Sequence, residues 1–176
     1  ASEPGRTLFV LDSYRRFIEM FGEIAAGLDP MRLSNVKEDV LNLARVRSVQ
    51  ALDATWLQGL IDAYLKALSD DQVFLPHDPR MQLRLAIIGV FDSWNTPRAI
   101  RFRQANGIPD ELGTAVTVQA MVFGNRGPMS ATGVAFTRNP NTGEPGLFGE
   151  YLPQAQGEDV VSGCFTPRLL GRGENK

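Results

Sequence analysis

The polar side chains with the most chemistry to offer lie in one short stretch, GVAFTRNPNTGEPGLFGEYLPQAQGEDVVSG (residues 133–163), where Gln156, Glu158 and Asp159 crowd around Gly157. Two adjacent carboxylates after a glycine can bind a divalent cation such as Mg²⁺, or accept hydrogen bonds from backbone amides of a turn. The residue types leave both open. Upstream, the backbone of Gln119 to Val122 can offer the amide and carbonyl that a flat purine ring needs, or an edge for another strand. Arg98, Arg101 and Arg103 can hold an anion, yet Arg98 and Arg101 are also spaced to line the exposed side of one helix. His77 has no serine or cysteine nucleophile signature beside it and reads as a loop residue. Cys164 lacks an activating neighbour and reads as an inert thiol. Gly171-Arg172-Gly173 has neither the strand before it nor the helix after it that a phosphate-cradling loop requires. Asp12, Glu19 and Glu23 fall on a helix at solvating spacing, which points to surface roles.

Local signals predict the elements that carry these groups. Tyr14, Phe17, Ile18, Phe21, Ile24 and Ala25 recur at three and four, with Asp12 able to cap the start and Gly27 placed to end the helix. A second helix is expected from about Val36 to Val49. A third carries the stripe Leu57, Leu60, Ile61, Tyr64, Leu65 and Leu68. Asp78-Pro79 is a cap followed by proline at the first helical position, and opens a segment from Met81 to Trp94 so apolar that burial on most sides is expected. Asn95-Thr96-Pro97 repeats the capping signal for a short helix that stops at Asn106-Gly107.

From Thr114 the period becomes two. Val116, Val118, Ala120 and Val122 alternate with Thr117, Gln119, Met121 and Phe123, a strand with apolar residues on both faces and so expected to be covered on both. Further strands are expected from about Gly133 to Arg138 and from Leu147 to Leu152, joined by the Asn139 to Gly143 turn. Three strands with short connections favour an antiparallel sheet. The charged, glycine-rich end from Gly171 to Lys176 reads as frayed or cut.

Composition bounds the function. With 176 residues, 43% of them hydrophobic and 22% charged, the chain falls in the globular range, as one domain or two small ones. A net charge of −2 gives no chain-wide basic field, so nucleic acid is not an expected partner. One cysteine and one histidine exclude an internal disulfide and a Cys/His zinc cluster built from this chain. No apolar run approaches the ~20 residues of a membrane-spanning helix, and the first ten residues lack the pattern of a signal peptide. A cytoplasmic location fits. A start at Ala1 rather than Met points to processing, or to a piece of something longer.

The stretches DSYRRFIEMFGEI, SWNTPRAIRFRQANGI, GTAVTVQAMVFGN and TGVAFTRNPNTGEPGLFGEYLPQAQGEDVVSG, with the Thr166-Pro167 that follows, closely resemble the nucleotide-binding domain of the pyruvate, phosphate dikinase family. The resemblance runs from about Asp12 to Pro167 and is weakest from Leu28 to Asp71. Phosphoenolpyruvate synthases share only the general pattern, such as the RAI-x-x-R core at Arg98 to Arg103, and lack the FTRNP-x-TGE hairpin in this form. The resemblance implies an α+β chain: a mainly helical subdomain over residues 1–107, then over 108–176 an antiparallel-sheet part of an ATP-grasp fold, which clasps ATP between two sheet-bearing subdomains. The family enzyme interconverts ATP, phosphate and pyruvate with AMP, diphosphate and phosphoenolpyruvate. It uses Mg²⁺ and passes a phosphoryl group through a histidine on a separate swivelling domain. Gln119, Met121 and Val122 then map to the purine-facing hinge, and Glu158 to a loop bordering the same cleft.

Several family features have no counterpart in these residues. They are the lysine and arginine that reach the ATP phosphates, the Asp-x-Glu metal pair, the Gln-x-Arg pair, the Thr-Ser-His histidine and the pyruvate-binding barrel. His77 does not match the histidine motif, and Phe165 stands where the family usually has arginine. The chain therefore resembles an internal piece that does not catalyse phosphoryl transfer alone, with the missing dikinase domains as its partners. The alternative is a catalytically inactive module, derived from an ATP-grasp fold, that binds nucleotide or a partner surface.

Overall fold

A computed structural model describes residues 4–163 and 165–170; Cys164 and the Gly171 to Lys176 end lie outside the described residues. The chain divides into two compact units, Ala1–Val118 and Gln119–Lys176. The architecture is α+β, helical in the first unit and built on an antiparallel sheet in the second.

Five helices make up the first unit: α1 (Pro4–Met20), α2 (Pro30–Ala44), α3 (Ala54–Asp70), α4 (Pro79–Ser93) and α5 (Pro97–Asn106). Four of them start where the sequence supplies an oxygen for an orphan amide. Asp29 accepts from Met31 N, Asp53 from Trp56 N, Asp78 from Arg80 N and Thr96 from Ala99 N. Proline follows directly in α2, α4 and α5. A π-helical turn, Phe21–Ala25, extends α1, and Gly27 at φ +67° ends it, as the sequence predicts. The expected helix from Val36 begins earlier, at Pro30, because Asp29-Pro30 is itself a capping signal. The predicted stripe of α3 forms the core: Leu57, Leu60, Ile61, Tyr64 and Leu68 are buried with Ile18 of α1 and Leu33 of α2.

Two expectations for this unit are corrected. Asp12 does not cap a helix and is not a solvated residue, because α1 begins a full two turns before it. The Asp12 carboxylate accepts from Arg15 Nη2 at 2.8 Å and Arg16 Nε at 2.9 Å, and both arginines are buried. Glu19 accepts from Arg15, from the Tyr64 hydroxyl of α3 and, at 3.3 Å, from Lys37 Nζ of α2. The charges of α1 therefore bind three helices together. The other correction concerns α4. Only Gly89 is buried there, while Leu83, Ile88 and Phe91 are exposed. Gly89 is where α4 crosses the π-helical turn, so close that a Cβ would lie 2.5 Å from the Ile24 carbonyl oxygen. Contact at one crossing leaves the rest of an apolar helix uncovered.

The Asp12 cluster makes acid stability predictable. Burial pushes the Asp12 carboxyl up, but the Arg15 and Arg16 guanidiniums outweigh it and hold it below its ordinary 3.8. A folded-state pKa below the unfolded one stabilises the fold above the unfolded value, and the gain is lost as pH falls through the folded value. Urea midpoints should therefore drop as pH falls below about 4. Asp12→Asn should start from a lower midpoint and flatten that part of the profile; a profile unchanged in slope would remove Asp12 from acid unfolding.

In the second unit β1 (Ala131–Arg138) pairs antiparallel with β2 (Pro145–Pro153), and β2 with β3 (Arg168–Leu170), in the order β1-β2-β3. The predicted hairpin is present. Asn139 closes its turn, its Oδ1 accepting from Asn141 N and Thr142 N while its carbonyl accepts from Gly143 N at 2.8 Å. Between β2 and β3 lies the short helix α6 (Gly157–Val161). The sheet differs from expectation in its third member. Residues 113–123 have no regular secondary structure and pair with no strand among the described residues, and most of them are exposed rather than covered. Alternation favours an extended backbone, but a ladder needs a second strand alongside. The third strand is instead β3, whose three residues are too short to show a period.

Candidate functional site

The extended segment ends in a tightly packed junction. Gly124 is buried, and a Cβ on it would meet Thr132 Oγ1 at 1.9 Å and the Ala155 carbonyl oxygen at 2.4 Å. Only glycine allows the chain so close. Thr132 Oγ1 on β1 donates to the same Ala155 oxygen at 2.7 Å, and Gln156 Nε2 reaches Asn125 Oδ1 at 3.4 Å. The end of the segment, the start of β1 and the turn into α6 are thus locked together. Val122 lies two residues before Gly124, and Glu158 three after Ala155. Both therefore leave from this one junction.

The two carboxylates of the Gly157 loop have different environments. Asp159 is buried at 8% exposure and its Oδ2 accepts from Gln156 N at 2.8 Å, so it caps the first turn of its own helix. For Asp159 the backbone-amide alternative holds. Glu158 faces outward. Ala155, Gln156 and Val160 are buried around the cap and make the loop rigid. Gln119, Met121 and Val122 are exposed on the extended segment, Val122 at 93% and Met121 at 55%. Their side chains are presented outward, as a strip that could meet a flat apolar ligand would require.

Among the described residues no three His, Cys, Asp or Glu side chains group as a metal site would require. With Asp159 engaged in capping, the loop has a single outward carboxylate to offer, and these residues do not fit a Mg²⁺ site of their own. His77 is an exposed loop residue ahead of α4, as expected. Gly171-Arg172-Gly173 lies outside the described residues.

The arginine trio separates. Arg98 and Arg101 are exposed on α5, whereas Arg103 turns inward and is 4% exposed. Arg103 Nε donates to Asp110 Oδ1 at 2.7 Å, another of its nitrogens donates to the Trp94 carbonyl, and its guanidinium lies 4.1 Å from the Trp94 ring centroid. Its share in an anion site is thereby corrected: its donors point into the protein. Sequence spacing missed this because Trp94 and Asp110 lie nine and seven residues away, outside any helical repeat. Thr132 was missed too, since nothing in a strand pattern marks one hydroxyl as a tie to a distant carbonyl.

Residues 23–170 match a family model for an AMP/ATP-binding domain, which gives the class of the molecule. That model is described as "Pyruvate phosphate dikinase, AMP/ATP-binding domain", and the chain belongs to this family. It is 50% identical over 171 residues to the pyruvate, phosphate dikinase of Rhizobium meliloti (strain 1021), covering 96% of this chain and 19% of that protein. It is 43% identical over 179 residues to the pyruvate, phosphate dikinase of Clostridium symbiosum, covering 99% of this chain and 20% of the relative. With the chloroplastic pyruvate, phosphate dikinase 1 of Arabidopsis thaliana the identity is 46% over 166 residues, 92% of this chain and 17% of the relative. The chain spans about a fifth of the length of the curated relatives it matches.

Proposed function

We propose that these residues are the ATP-binding part of a dikinase that interconverts ATP, phosphate and pyruvate with AMP, diphosphate and phosphoenolpyruvate through a phosphohistidine. The observation that carries this reading is the family match over residues 23–170, which includes both the exposed strip and the capped loop. Membership of a dikinase family favours it over the inactive binding module. In this reading Gln119, Met121 and Val122 face the purine, and Glu158 lines the mouth of the same cleft. Residues 1–107 serve as the helical subdomain and 108–176 as the sheet-bearing one. Mg²⁺ belongs to the full-length enzyme and is held by groups other than the described residues. The phosphohistidine domain and the pyruvate-binding barrel are the expected partners. No described helix is long and apolar enough to cross a membrane, and a cytoplasmic site of action is part of the proposal.

A substitution tests the purine strip. In a full-length dikinase carrying this sequence, Met121→Trp should obstruct a slot shaped for a flat ring and raise the KM for ATP about tenfold, with the KM for pyruvate unchanged. Unchanged ATP kinetics would assign the strip a purely structural role.

A further inference from the structure

Arg103 joins three segments that the local signals of the helices do not join. The last turn of α5 carries it. Its side chain holds the Trp94 carbonyl just past α4, and it holds Asp110 at the start of a 3₁₀ turn, Asp110–Leu112. The Trp94 indole Nε1 donates to the Asp110 carbonyl at 3.3 Å, so Asp110 is gripped by both backbone and carboxylate. The Arg103 carbonyl accepts from Gly107 N and, at 3.0 Å, from Ile108 N, which turns the chain from α5 toward Asp110. Asp110 itself is 71% exposed at its side chain. An ion pair with one partner in water adds little stability, so its main effect is to fix where the Asp110 backbone lies.

Immediately after this 3₁₀ turn the chain enters residues 113–123, which no ladder supports among the described residues. Such a segment takes its position from its ends. Gly124 anchors it downstream, against Thr132 and Ala155. The Arg103, Trp94 and Asp110 cluster anchors it upstream. We infer that Arg103 is a positioning residue for nucleotide binding, because it fixes the upstream anchor of the segment that carries Gln119, Met121 and Val122. This rests on the purine-facing reading of those residues. Arg103 touches no nucleotide; it removes slack from the strip that does.

The test uses full-length dikinase carrying this sequence, with Arg103→Met, Arg103→Lys and Asp110→Asn, and reads kcat, the KM for ATP, the KM for pyruvate and thermal stability. Arg103→Met should raise the KM for ATP about tenfold, while kcat and the KM for pyruvate stay within about twofold. Arg103→Lys should fall between this and the parent, since an ammonium can meet Asp110 but cannot also fork to the Trp94 carbonyl. Asp110→Asn, at an exposed side chain, should raise the KM for ATP about threefold, and it decides the matter if Arg103→Met does not fold. Lower thermal stability with an unchanged KM for ATP would overturn the inference, as would a parallel change in all kinetic constants. Met121→Trp in the same enzyme separates the two readings. If it leaves the KM for ATP unchanged, the purine strip fails and the role of Arg103 with it. If it raises that KM while the Arg103 and Asp110 variants do not, only the positioning role fails.

Discussion

Incubated with labelled ATP, Mg²⁺, phosphate and pyruvate, the 176-residue chain is expected to form no AMP and no phosphoenolpyruvate above a control without protein. Phosphoryl transfer requires little covalent chemistry from the protein and depends on cations positioned around the phosphates. Losing one strong electrostatic contact to the transition state costs on the order of 10²-fold in rate or more, and several losses together leave nothing measurable. Among the described residues no carboxylates group to hold a metal, the Arg103 donors point into the protein, and Asp159 caps its own helix. The chain covers about a fifth of its relatives. Weak purine binding without turnover would fit this picture, whereas steady turnover would overturn it.

Gly124→Val should be the most damaging single change in the second unit. Even a bare Cβ would lie 1.9 Å from Thr132 Oγ1 and 2.4 Å from the Ala155 oxygen, and one of these atoms is backbone that cannot rotate aside. Overpacking against backbone costs about 3 kcal/mol, at the upper end of such substitutions. The melting transition of the unit should fall by about 10 °C or more. Because Gly124 ties the extended segment to the α6 turn, the KM for ATP in a full-length dikinase should rise in the same variant. Gly124→Ala gives a finer measurement. Removing the threonine hydroxyl with Thr132→Ala relieves the nearer clash but not the one with Ala155, so Gly124→Ala combined with Thr132→Ala should cost less than the sum of the two single changes. Strict additivity, or an unchanged melting point for Gly124→Val, would mean that the junction is looser than its geometry.

What the sequence by itself determined is whatever a few neighbouring residues can decide. Asp78-Pro79 and Thr96-Pro97 start their helices because a cap oxygen meets an amide two or three residues on. The α3 stripe from Leu57 to Leu68 is buried because its spacing puts those side chains on one face. The Asn139 turn closes the β1–β2 hairpin through bonds within six residues. The motifs around Arg98 to Arg103 and from Thr132 to Gly163 were long enough to place the chain in its family. Tertiary structure alone decided the rest, because each remaining feature depends on atoms brought together from far along the chain. Thr114 to Phe123 looked like a strand, yet a ladder needs a second strand beside it. The apolar α4 looked buried, but burial needs a partner face, and α4 meets one only where Gly89 crosses the π-helical turn. Asp12 and Glu19 read as solvated until Arg15, Arg16, Lys37 and Tyr64 closed around them. Arg103 read as one of three anion-holding arginines until Trp94 and Asp110 folded over it. A charged side chain is committed to solvent, ligand or protein by what surrounds it in three dimensions, and spacing along the chain does not carry that information.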